Sequence, residues 1–165
     1  MQSVTSKIYG TVSADRQREM SGLEFVRGLV EGTLPLNTIA ETLGYDIIEA
    51  ENGRVVVVAE PKNSHFNPAG TVHGGLAATM LDSCMGLAIQ SNLGKGVGST
   101  TLEFKLSFVR PITSETGLIK ADCNEEPDRD RRDMDEEVFP GMDDFVRSVD
   151  VKHGWCIFLT RQWLV

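Results

Sequence analysis

His65–Gly75, HFNPAGTVHGG, runs directly into Leu76–Gln90, LAATMLDSCMGLAIQ. The first stretch is a polar loop ending in paired glycines. The second is the most apolar part of the chain, and it carries one acid, Asp82. From Asn63 to Gly94 Asp82 is the only formally charged side chain. A helix that is apolar on every side is a core helix, so a single element from about Val72 to about Asn92 is expected at the centre of the fold. Asp82, Gln90 and Asn92, together with several Ser, Thr and Gly, argue against its spanning a membrane.

The segments on either side are of another kind. Tyr45–Ala50 and Arg54–Glu60 are β-rich runs separated by Glu51-Asn52-Gly53, and Asn-Gly between such runs predicts a hairpin. Upstream, Leu23, Val26, Leu29 and Val30 recur at helical spacing, with Ser21 as N-cap and Glu24 three positions on. Gly32 and Pro35 stop that helix, and a second short helical segment, Pro35–Leu43, ends at Gly44. Residues 1–20 are expected to form a polar, loosely held, flexible arm. Downstream, Gly94, Gly96 and Gly98 interrupt the chain before Thr100–Val109. There Leu102, Phe104, Leu106 and Phe108 alternate with Thr101, Glu103, Lys105 and Ser107. Gly117–Cys123 reads as a further strand. The fold class predicted is α+β, one antiparallel sheet packed on one long central helix, as a single domain over residues 21–165.

Composition narrows the chemistry. The formal charge of −8 belongs to one segment: residues 122–150 hold 12 acids and four arginines, and the rest of the chain is neutral. No basic stripe of the kind that binds nucleic acid is present. Cys84, Cys123 and Cys156 are odd in number and widely spaced, which suits a reducing cytosol better than a disulfide framework or a metal site. With no apolar leader in the first 20 residues, a cytoplasmic protein is expected.

Asp82 admits two readings. A buried carboxylate is costly without a partner, so it is either a catalytic group whose acidity its surroundings set, or a structural Asp that is partly exposed or bonded to backbone. Gly74-Gly75 also admits two. Glycines at a helix start let a ligand approach unpaired N–H groups at the positive dipole end, an arrangement that stabilises an oxyanion; alternatively they only permit tight packing. Asp82 lies seven residues beyond Gly75, on the same helix face but roughly 10 Å further along the axis. One small reacting group cannot touch both within one subunit; a substrate could span them, or Asp82 could serve a site built with a second subunit.

The pattern Asn67, Gly70, His73, Gly74, Gly75 and Asp82 resembles that of hot-dog-fold acyl-CoA thioesterases of the PaaI type. The resemblance extends from about Leu23 to about Ala121 and takes in LEFVRGLVEGTLP, the Asn-Gly hairpin and TTLEFKLSFVRPI. It implies a hot-dog fold, homodimers or homotetramers with active sites at a subunit interface, an acyl-CoA substrate, and no cofactor beyond the coenzyme A that the substrate carries. Carried over by position, Asp82 would be the nucleophile or general base. Gly75 would give a backbone N–H to the thioester oxygen, with Gly74 beside it, and His73 and Asn67 would orient the carbonyl or the water. Thr101 would assist the water, with Thr100 as the alternative. Lys95, Lys105 and Arg110 are candidates for the coenzyme A phosphates. No metal ligand is expected. A helix-start histidine bonded to backbone is an equally open reading of His73, and His65 and His153 are read as surface residues. Met80, Leu81 and Met85 are read as core. Lipase-type G-x-S-x-G and P-loop signatures are absent.

After Ala121 the resemblance fails. Asn124–Asp144 is acidic, contains two prolines and has no β-period, which reads as a long solvated loop or disordered insert. Three outcomes follow: an insert, with the last strands supplied late by Val146–Val151 and Trp155–Thr160; a divergent tail that leaves the sheet short; or a frame-shifted tail. The last two leave an exposed sheet edge. The alternative to an enzyme is then a non-catalytic hot-dog module that binds acyl groups, coenzyme A or a partner.

Overall fold

The computed structural model describes residues 7–108, 110–124, 146–151 and 154–162. In chain order they form α1 (Ala14–Arg18), α2 (Gly22–Glu31), α3 (Thr38–Leu43), β1 (Tyr45–Glu51), β2 (Arg54–Ala59), α4 (Gly74–Ser91), β3 (Val97–Leu106), β4 (Ile119–Asn124), β5 (Val146–Val151) and β6 (Gly154–Gln162). The strands pair antiparallel in two groups, β1-β2-β4 and β3-β6-β5, with β5 running beside β4. The long helix α4 lies against β2, β4 and β3, which is the expected sheet around one central helix.

Helix α4 holds that place because of what its faces carry. Leu76, Met80, Cys84, Met85, Ala88 and Ile89 are buried and recur at three-, four- and five-residue steps. They meet Val55, Val57 and Ala59 of β2 and Ala121 and Cys123 of β4 in one core. Each fully buried aliphatic side chain there stabilises the fold by about 1.5–3 kcal/mol. Met80 and Met85 are core, as read, and Leu81 packs half-buried against it. Cys84 turns its thiol to the carbonyls of Val55 and Ala121, so it spends its weak donor inside the core.

Local signals set the other elements. Ser21 and Glu24 form the capping box that starts α2. Gly22 is fixed by close approach: a Cβ there would lie 1.6 Å from the carbonyl oxygen of Gln90 on α4. Asn52-Gly53 turns the β1–β2 hairpin with Gly53 at φ 73°. Ser91 accepts the Gly53 N–H and ties that turn to the end of α4.

Several expectations need correction. The short helix begins at Thr38, capped by Asn37, because Leu36 is already bridged to Tyr9. From Lys7 onward the segment read as a loose arm is pinned to the body. Lys7 pairs with Asp46, the Gly10 N–H donates to the Leu36 carbonyl, and α1 follows with Ser13 as its N-cap. Strand β3 starts three residues early, at Val97, and its Ser99 and Thr101 side chains bond to α4, whereas Glu103 and Lys105 are exposed. Leu102 and Phe104 are 39% and 38% exposed, and the register shifts between Thr101 and Glu103. His65 is buried rather than on the surface, since its Nδ1 accepts the Lys62 N–H and closes a turn at Asn63–His65. The late strands of the first C-terminal outcome are present: β5 and β6 form a hairpin, and β6 pairs with β3 along its length. Residues 125–145, most of the acidic stretch, and His153 lie outside the described residues.

Candidate active site

Two constellations flank α4, and one chain keeps them apart. The first is centred on Asp82. The Thr101 hydroxyl donates to Asp82 Oδ1 at 2.7 Å, from β3 across to α4. Thr101 reaches it because the turn after α4, with Gly96 at φ 73°, brings β3 back along the helix. Two turns further on, Ser99 donates to Gln90 Oε1, so the same face of β3 zips twice to α4. Thr100 is exposed and makes no such bond. Asp82 and Thr101 open on a cavity of about 360 Å³ whose wall also includes Asn37, Ser83, Gln90 and Ser99. That volume lies in the range of small-molecule sites. Tyr45 sits behind this wall, its buried hydroxyl between Asn37 and Ser83. Burial pushes its pKa up, and the negative charge of Asp82 acts in the same direction.

The second constellation is the start of α4. His73 is the N-cap, and its Nδ1 accepts the Gly75 N–H at 2.9 Å, which fixes the proton of a neutral ring on Nε2. Asn67 organises the loop before it. Its Oδ1 accepts the N–H groups of Ala69 and Thr71, and its Nδ2 donates to the Thr71 hydroxyl. His73, Gly75 and the buried His65 line a cavity of about 380 Å³ together with Phe66, Leu76 and Thr79. Gly74 faces elsewhere: the Phe108 ring covers it so closely that a Cβ would lie 3.1 Å from the ring, beside a further cavity of about 340 Å³ that Arg110 lines.

The structure therefore joins Asp82 with Thr101, and His73 with Gly75, and does not join the pairs. Nor do the three basic candidates converge. Arg110 lies by Gly74, Lys105 is exposed on β3, and Lys95 sits in the α4–β3 turn, where its charge helps to hold the Glu24 carboxyl below its usual range after the dominant Ser21 hydrogen bonds. Asn37, Ser83, Gln90 and Ser99, along with Gln17 and Arg18 of α1, were not foreseen as parts of the Asp82 cavity. They come from three elements, α1, α4 and β3, and the N-cap of α3, and no local spacing marks them. Among the described residues, no group of three or more His, Cys, Asp or Glu could hold a metal ion, and no helix is long and apolar enough to cross a membrane.

Residues 69–125 match the Thioesterase superfamily. A Halobacterium salinarum protein described as an esterase is 31% identical over 92 residues; the match covers 53% of this chain and 61% of that relative's length. A Ralstonia eutropha protein described as a thioesterase related to phenylacetic acid degradation superposes with a TM-score of 0.59 at 24% identity, covering 82% of this chain and 97% of that one. A Haemophilus influenzae thioesterase gives 0.60 at 16% identity over 85% and 92% of the two chains. The Escherichia coli PaaI protein gives 0.58 at 18% over 85% and 94%.

Proposed function

From the premise that this chain is a hot-dog-fold relative of the PaaI-type thioesterases, we propose that it is a cytosolic acyl-CoA thioesterase with Asp82 as its catalytic carboxylate. The observation that carries the reading is the Thr101–Asp82 bond in the wall of a ligand-sized cavity. Thr101 occupies Oδ1 and fixes the carboxylate, and Oδ2 is left to act.

In the general-base form, Oδ2 takes a proton from water as the water oxygen bonds to the thioester carbon. The carbon–sulfur bond then breaks, and the coenzyme A thiolate leaves and takes up the proton. In the nucleophilic form, Oδ2 attacks the carbon itself, the carbon–sulfur bond breaks and coenzyme A leaves as the thiolate. Water then cleaves the resulting anhydride to the free acid and the Asp82 carboxylate, and the proton released goes to the thiolate. Either route places negative charge on the thioester oxygen, and the N–H of Gly75 at the start of α4 is suited to stabilise it. His73 Nδ1 holds that N–H in the free chain, so the thioester oxygen must displace the imidazole. Asn67 acts through the loop it shapes. Arg110, beside Gly74, and Lys95 and Lys105 are suited to the phosphates of coenzyme A.

Because Asp82 and Gly75 open on different cavities, the complete site in this reading takes Asp82 from one copy of the chain and Gly75 from another. A homodimer satisfies this, as does a homotetramer. The outer side of β3 supports a partner: β3 ends its group of strands, and among the described residues no strand pairs with that side.

Release of free thiol from a panel of coenzyme A thioesters tests the proposal. Wild-type turnover that Asp82→Ala abolishes is expected; turnover unchanged in that variant would overturn it. Binding without thiol release by the wild type would favour the non-catalytic acyl-binding module instead.

A further inference from the structure

We propose that His65 gives the thioester oxygen a second hydrogen bond, from its Nε2–H, beside the start of α4. The inference rests on Gly75 receiving that oxygen, as above, and adds a donor to the same place. His65 is 7% exposed, and one nitrogen of its ring is already engaged: Nδ1 accepts the Lys62 N–H at 2.9 Å. The proton of the neutral ring is therefore on Nε2, and among the described residues nothing accepts it. A donor so placed is costly unless it meets water or a guest. No fully buried side-chain nitrogen or oxygen among the described residues lacks a partner, so Nε2 is not sealed in the core. His65 lines the cavity of about 380 Å³ that Gly75 and His73 also line.

The wall of that cavity selects the guest. None of its lining residues is Asp, Glu, Lys or Arg, and Leu43, Phe66 and Leu76 form its apolar part. Against that uncharged wall stand three N–H groups, those of Gly75 and of the two imidazoles, since His73 also turns its Nδ1 to a backbone N–H. A neutral carbonyl suits them: its oxygen accepts, it has no proton to place, and its two lone pairs take two donors. Gly75 is one. Of the imidazoles, His73 is exposed and must leave the Gly75 N–H before the oxygen can reach it. His65 has no such move to make. Its ring is held by the Lys62 N–H, and its own carbonyl accepts the His73 N–H at 2.7 Å, which ties its backbone to the residue that caps α4. A donor fixed before the substrate arrives stabilises charge on the oxygen without reorganising.

The carbonyl stretch of a bound ketone tests the assignment. The probe is the acetyl-CoA analogue in which a methylene replaces the thioester sulfur, labelled with carbon-13 at the carbonyl and read by difference infrared spectroscopy on the full chain. His65→Asn keeps an oxygen where Nδ1 accepts from Lys62 and loses the Nε2–H, so the stretch should rise in frequency relative to wild type. In thiol release the same variant should lower kcat roughly tenfold to a hundredfold with KM little changed. His65→Gln, which puts an amide N–H near the place of Nε2 and gives up the bond to Lys62, should keep more of the rate at a lower melting temperature. A stretch that His65→Asn leaves at the wild-type frequency, or failure of the wild-type chain to bind the ketone, would overturn the inference whatever happens to the rate. Wild-type thiol release would still carry the hydrolase in either case. A stretch that rises in His65→Asn, with no thiol release by the wild type, sustains the donor and sinks the hydrolase.

Discussion

The start of α4 and its middle hold their polar groups by different means. At the start, the side-chain hydrogen bonds of the motif close within a few residues, Asn67 to Ala69 and Thr71 and Gly75 to His73, and one backbone bond, from the Val72 N–H to the Ile112 carbonyl, reaches further. In the middle, the partner of Asp82 is 19 residues away, on a strand that is itself positioned by β6. The first region is a cap and loop whose side-chain bonds are local, tied to the segment after β3 at Ile112. The second exists only once the sheet has closed over the helix. The difference teaches that a dense local motif can build a frame, while the group proposed to react is placed by tertiary contact.

The largest expected effect falls on the middle. Asp82→Ala should cut thiol release about a thousandfold or more, with the melting temperature little changed because Asp82 is half-buried and carries one side-chain bond. A large loss of stability would instead make Asp82 a structural acid. Thr101→Val comes next: kcat should fall roughly tenfold to a hundredfold with KM less affected, as expected for a lost charge-assisted bond that orients the carboxylate. An unchanged kcat would separate the two regions less sharply, leaving Asp82 to act unaided.

At the helix start the effect should move from rate to stability. Asn67→Ala removes the acceptor of two backbone N–H groups and is expected to cost about 1–2 kcal/mol in chemical denaturation. A variant of full stability and no activity would show that Asn67 touches substrate rather than shaping the loop.

The smallest effect belongs to a control far from both. Arg54 bridges Glu49 and Asp122 on neighbouring strands, and mainly through its hydrogen bond it holds the Asp122 carboxyl below its usual range. A carboxyl whose pKa is depressed in the fold contributes stability above its unfolded pKa, and loses it as pH falls through the folded value. Arg54→Ala should therefore leave activity intact, cost under about 1 kcal/mol at neutral pH given the exposure of Asp122, and flatten the loss of stability below about pH 4. Equal acid sensitivity in variant and wild type would remove this pair from the account.

Legibility in the sequence followed the same division. The hairpin at Asn52-Gly53, the capping box at Ser21 and Glu24, and the extent of α4 were readable because each is set by neighbours within one or two turns. So was the pattern from Asn67 to Asp82 that resembles the thioesterases. The orientation of β3 was not. Alternation does not show which side chains meet the helix, and here Ser99 and Thr101 do, with the register shifting just beyond them. The segment before Met20 looked loose because its anchors, Asp46 and Leu36, are distant in the chain. His65 looked like a surface residue because nothing adjacent shows that its ring closes a buried turn.

What the sequence determined alone was the central helix, its glycine-rich start and the single acid within it, since helical periodicity, capping and the cost of a buried charge are all local properties. What only the tertiary structure decided was which groups share a cavity. It put Thr101, Gln90 and Arg18 with Asp82, and His73 and His65 with Gly75. Contacts between elements depend on how a sheet curves around a helix, and that curvature is fixed by packing summed over the whole core rather than by any one stretch of residues.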